Sequence, residues 1–115
     1  MALIYKIVSN DEWLKAEKTG IFAGAAVDLA DGFIHFSTAE QVAETANKHF
    51  KGQDNLLLVA VDEDALDEEA LRYEVSRGGA FFPHLYGNLS LAAVVGVSPF
   101  TADKEGIFHF SEVLS

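Results

Sequence analysis

Leu56-Leu57-Leu58-Val59-Ala60-Val61 is an unbroken apolar run closed by Asn55 and Asp62. Successive side chains of a strand point to opposite faces, so a run with no polar interruption must be buried on both. It is short for a helix and bounded by polar residues, which predicts a central strand over 55–61. A central strand needs neighbours. Upstream, Leu3 to Val8 is apolar and rich in β-formers and predicts a strand. Downstream, Leu71 to Val75 alternates apolar and polar residues as a shorter strand. Val94 to Ser98 predicts another, ended by Pro99, and Ile107 to Phe110 a last one. Helix signals lie in the first half. Ser9-Asn10-Asp11-Glu12 is a capping box, opening a helix with Trp13, Leu14 and Ala16 that stops at Gly20. Ile21 to Gly32 reads as loop, and Phe33 to Ser37 as a strand. Ser37-Thr38-Ala39-Glu40 is a second capping box, opening a helix with Val42, Ala46, His49 and Phe50 on one stripe before Gly52. Leu89 to Ala93 reads as a helical turn. Helices early and strands late predict an α+β fold rather than a doubly wound sheet. The expectation is one domain over residues 1–115, with a bent, mainly antiparallel sheet, whole or split, and two main helices.

The 115 residues suffice for one core, and half of them are hydrophobic, which excludes disorder. No apolar run approaches the roughly 20 residues that span a bilayer, and the first residues lack a signal-peptide pattern. There is no cysteine, which removes thiolate and disulfide chemistry. The net charge of −10 opposes phosphate backbones and anionic membranes. The expectation is therefore a soluble, cytoplasmic monomer with neither nucleic-acid nor membrane partners. Asp62, Glu63, Asp64, Asp67, Glu68, Glu69 and Glu74 crowd one stretch but lack the order of a calcium loop, so they read as a solvated segment.

Chemistry concentrates in Ser76-Arg77-Gly78-Gly79-Ala80-Phe81-Phe82-Pro83-His84-Leu85-Tyr86-Gly87. Glycines that accept positive φ and a proline that fixes it make this a shaped loop. Arg77 offers a planar donor fork for an anion, or an internal salt bridge to Glu74. Glu74 is then an acid–base group, a ribose-hydroxyl acceptor or that salt-bridge partner. His35 shares a strand face with Phe33 and Ser37, as a ligand contact or as a hydrogen-bonded core histidine. His84, stiffened by Pro83, reads as functional, whereas His49 and His109 read as structural. No H-E-x-x-H pattern, nucleophile elbow, P-loop or dinucleotide fingerprint occurs, so no metal site is expected.

Asp31-Gly32-Phe33-Ile34-His35-Phe36-Ser37-Thr38, the segment from Ser76 to Gly87, and Ile4-Tyr5-Lys6-Ile7 resemble the small bacterial family catalogued as domain of unknown function 952, from Leu3 to about Phe100. That family is grouped by fold with the ADP-ribosyltransferase-like proteins. The resemblance implies that His35 falls where those enzymes stack a tyrosine on nicotinamide, with Tyr5 or Lys6 facing the ADP-ribose half. The expected ligand is nucleotide-like, with NAD as the candidate substrate and no certain cofactor. His35, Glu74 and His84 are the candidate catalytic residues. Tyr5, Lys6, Ser37, Thr38, Arg77, Gly78, Gly79 and Tyr86 are the candidate ligand contacts, with Lys6, His35, Ser37, Arg77, His84 and Tyr86 lining a cleft. The alternatives are a non-catalytic interaction module with an acidic surface and, third, a small metal-free hydrolase using His35 or His84 as base.

Overall fold

The computed structural model describes residues 2–110 and, at Arg77, the backbone alone. The apolar run forms β4 (Leu56–Asp62), the middle strand of a three-stranded sheet. It lies between β1 (Leu3–Ser9) and β8 (Val94–Phe100), antiparallel to both. Both faces are covered, as an uninterrupted apolar strand requires. On one side Ile4, Val8, Val59 and Val61 pack with Trp13, Phe22, Ile34 and Leu89. On the other, Tyr5, Ile7, Leu58 and Ala60 pack with Val42, Ala46 and Phe108.

Helix α1 (Asn10–Thr19) starts at the first capping box, where the Glu12 N–H donates to Ser9 Oγ and Gly20 closes the helix at φ 80°. A two-stranded ladder joins β2 (Ile21–Phe22) to β7 (Leu89–Ser90). Between β2 and the next strand the predicted loop contains α2 (Ala26–Asp31), a third helix. It has no apolar period long enough to read, and its start is held by Asp28, whose Oδ2 accepts the Ala25 N–H.

The predicted second capping box does not form. Ser37 is not a cap: its backbone exchanges two hydrogen bonds with Tyr5, and its hydroxyl donates to Thr45 Oγ1. Helix α3 (Val42–His49) starts later, from a turn in which the Gln41 side chain accepts the Thr38 N–H.

The second three-stranded sheet has the order β3 (Ile34–His35), β6 (Phe81–Leu85), β5 (Leu71–Val75), all antiparallel. Phe81–Leu85 lies in the segment that its glycines and Pro83 predict to be a shaped loop. It is nevertheless the middle strand. The Pro83 carbonyl accepts from the Phe36 N–H, and with no N–H to return the bond the ladder to β3 ends there. Pro99, expected to end β8, lies inside it opposite Leu57, since an edge strand needs no donor on its outer side. Leu89–Ala93 is split into β7 and a 3₁₀ turn over Leu91–Ala93. The strand expected at 107–110 does not form. Asn47 instead pins that segment, accepting the Phe108 N–H and donating to its carbonyl.

Candidate functional site

The register of the second sheet decides which side chains meet. His84 of β6 lies directly opposite His35 of β3 and directly opposite Arg72 of β5. Directly opposed residues share a face, so His35, His84 and Arg72 form one row across three strands. Two residues along β5 and β6, Glu74 stands opposite Phe82. Tyr86 follows in the other direction. Phe33 closes the group, its ring 4.1 Å from His84, 4.7 Å from His35 and 5.2 Å from Tyr86 between centroids.

Each histidine is held by a carboxylate. His84 is buried, with Nδ1 2.9 Å from Glu74 Oε1, and the same oxygen accepts the Tyr86 hydroxyl at 2.6 Å. These bonds, from Tyr86 first and His84 second, hold the Glu74 carboxyl below its ordinary range, and the same contact raises the Tyr86 phenol. With Nδ1 committed as donor, a neutral His84 ring carries its lone pair on Nε2. No described residue hydrogen-bonds that nitrogen.

His35 is held from both sides. Its Nδ1 is 2.6 Å from Asp28 Oδ1 and its Nε2 2.9 Å from Asp31 Oδ2. Both contacts are hydrogen bonds only while both ring nitrogens carry protons. Asp28 is buried and also accepts from the His35 N–H, the Ala25 N–H and Lys6 Nζ, the last at 2.9 Å. Burial alone would raise the Asp28 carboxyl. The His35 hydrogen bond, the Lys6 charge and hydrogen bond and the Ala25 N–H outweigh it and bring it to about 2. Lys6 is buried as well, and desolvation lowers its ammonium from the usual lysine range against the pull of Asp28.

These groups border a cavity of about 590 Å³ where β1 meets the second sheet. Tyr5, Lys6 and Ile7 of β1 line it together with His35, Phe36, Ser37, Phe82 and His84. Val27 and Asp31 of α2, Thr45, His49 and Phe50 around α3, and Ser76 complete the lining. Of the predicted residues, Tyr5, Lys6, His35, Ser37 and His84 are thus brought together. Glu74 and Tyr86 stand behind His84 rather than on the wall. Thr38 does not line the cavity; its carbonyl starts α3 by accepting from Gln41 and Val42. Gly78 and Gly79, at φ 70° and 79°, form a tight turn after β5 and do not line the cavity. The Arg77 side chain, expected as the anion clamp, lies outside the described residues. Among the described residues no group of three metal-binding side chains converges.

Sequence reasoning placed Phe33 on one face with His35 but missed Asp28 and Arg72 as parts of this cluster, and it read His49 as a structural residue of an apolar stripe although it is exposed at the cavity. The alternation of Leu71-Arg72-Tyr73-Glu74-Val75 carried the signal for Arg72, because it puts Arg72 and Glu74 on one face. No comparable local pattern marks Asp28, whose partners Lys6 and His35 come from two other strands.

Solved structures of one protein, CC0527 from Caulobacter crescentus, are similar along nearly the whole chain. Its crystal structure is 51% identical over 93% of this chain and 93% of that one, with a TM-score of 0.88. A crystal structure of a double mutant gives 50% identity, the same coverage of both chains and a TM-score of 0.87. The solution structure gives 52% identity over 93% of this chain and 91% of that one, at 0.83. None of the curated proteins matches. A family model does match, over residues 7–97, and with it the chain belongs to the family described as protein of unknown function (DUF952).

Proposed function

We propose that the cavity binds a nucleotide-like ligand and that His84, oriented by Glu74, is the acid–base group acting on it. The observation that carries this reading is the Glu74–His84 pair at 2.9 Å, with the opposite ring nitrogen engaged by none of the described residues and the ring on the cavity wall. A carboxylate on Nδ1 fixes the tautomer that accepts a proton at Nε2 and steadies the imidazolium that forms. The cavity volume suits a small ligand, and an apolar wall with a few convergent polar groups is the usual character of such sites. Tyr5, Phe36 and Phe82 offer surface to a planar ring, while Ser37 and Asp31 offer partners to sugar hydroxyls.

NAD is the candidate substrate, within an ADP-ribosyltransferase-like reading of the fold that rests on the likeness of the Ile34–Ser37 segment. One feature favours hydrolysis as a second reading. Glu74 stands behind His84, where it can orient the imidazole but not itself meet a ribose hydroxyl in the cavity, and a histidine base suits activation of water.

Thermal-shift titration with NAD, ADP-ribose and AMP tests the binding. A ligand that binds only the folded chain adds about 2.7 kcal/mol at a hundredfold excess over Kd, which is a readily measured rise in Tm. Proton NMR of the NAD mixture then follows release of nicotinamide. The expected result is a shift for wild type and for Glu74→Gln, with any turnover reduced in the variant. A shift without turnover leaves a binding module. No shift with any of the three ends the nucleotide reading.

A further inference from the structure

We propose that Arg72, over the Tyr86 ring and directly opposite His84, is an anion subsite on the same sheet face, beside the cavity rather than in its wall, taking the phosphate of a ligand whose reacting group lies at His84. The proposal rests on the reading of His84 as the acid–base group. It begins from which positive charges are already satisfied. The Lys6 ammonium is held at 2.9 Å by Asp28, and both ring nitrogens of His35 face carboxylates. Neither has its charge to spare for a ligand. Arg72 is exposed and, among the described residues, no carboxylate lies within ion-pairing distance of it.

Its position is set by the sheet. Arg72 is the cross-strand partner of His84, so their side chains rise from neighbouring points on one face. Its guanidinium carbon lies 5.6 Å from the centre of the Tyr86 ring. That ring is anchored by the bond from its hydroxyl to Glu74 and flanked by Phe33. A guanidinium stacked on a fixed ring keeps its N–H edge free, which is the edge that meets phosphate in a two-pronged hydrogen bond. Glu74 feels the Arg72 charge, but its carboxylate accepts its hydrogen bonds from His84 and Tyr86, and among the described residues no ion pair joins it to Arg72. The ligand class that fits is a phosphorylated compound whose phosphate is set to one side of the reacting bond.

Calorimetric titration of adenosine, ADP and inorganic pyrophosphate into wild type, Arg72→Gln and Arg77→Gln tests this. Arg72 is exposed, so Arg72→Gln is expected to fold normally, which circular dichroism checks. The expected result is that ADP and pyrophosphate bind Arg72→Gln at least about tenfold more weakly than wild type, as loss of a charged hydrogen bond implies. Adenosine binding should be unchanged, and the salt dependence of ADP binding should shrink in the same variant. Equal ADP binding by wild type and Arg72→Gln overturns the subsite but leaves the nucleotide reading intact. So does a loss confined to Arg77→Gln, or an equal loss of adenosine and ADP. If none of the three binds wild type, the nucleotide reading fails and the subsite with it.

Discussion

Asp28 gathers the Lys6 ammonium, the His35 ring and two backbone N–H groups on one buried carboxylate. Breaking a buried ion pair on one side leaves the other charge uncompensated, so Asp28→Asn is expected to destabilise the fold by about 3 kcal/mol or more in urea unfolding. Adding Lys6→Met to that variant should recover part of the loss, because the stranded ammonium is then gone. The pH dependence has a definite sign. The folded Asp28 carboxyl titrates at about 2, below its ordinary 3.8, so its contribution is full above 3.8 and disappears as pH falls to about 2. The stability difference between wild type and Asp28→Asn should therefore narrow across that window. Parallel curves would mean that Asp28 is not ionised by this network. At this scale the sequence was legible in part. Lys6, His35 and Ser37 were recognisable as polar residues in apolar strands and His84 as a residue of a shaped loop, but the carboxylate joining Lys6 to His35 depends on chain segments that only folding brings together.

Elements were legible where their signals are local. The capping box at Ser9 and the stop at Gly20 define α1, because cap chemistry acts within one turn. The same motif at Ser37 misled, because the neighbouring strand claims that backbone first: Tyr5 takes both its N–H and its carbonyl. Helix α2 was illegible because six residues hold too little periodicity and its fixing contact is to Asp28 rather than to a core stripe. Two glycines bound this helix, and they differ. At Gly24, with φ 121°, an added Cβ would lie 2.9 Å from the Asp28 Cβ, whereas at Gly32, with φ 86°, it would meet nothing. Gly32→Ala should thus cost about 1 kcal/mol of left-handed strain alone. Gly24→Ala adds a clash against the residue that holds Lys6 and His35, and should cost at least about 2 kcal/mol. Denaturant midpoints of the two variants decide, and an equal effect would show that the approach to Asp28 relaxes freely.

At the scale of the whole molecule the two three-stranded sheets meet at β1, and the cavity lies at that junction. The crowding of helix signals into the first half and strand signals into the second made the α+β class and antiparallel pairing legible, because those signals are patterns within each segment. How one sheet docks on the other was not, since the docking is made by contacts remote in sequence: the paired backbones of Tyr5 and Ser37, and Lys6 joined through Asp28 to His35. Hydrogen exchange can separate docking from the stability of each sheet. The amides of Val59 and Ala60 in the doubly covered β4 should open only with global unfolding. The amides of Tyr5 and Ser37, which bond one another at 2.8 Å in both directions, report the junction itself. If Asp28 clamps the sheets together, Asp28→Asn should speed exchange at Tyr5 and Ser37 by a larger factor than at Val59 and Ala60. Uniform acceleration at all four amides would mean that the sheets open as one cooperative unit. The histidine row and the wall offered by β1 would then keep their spacing whenever the chain is folded, and ligand entry would have to occur without parting them.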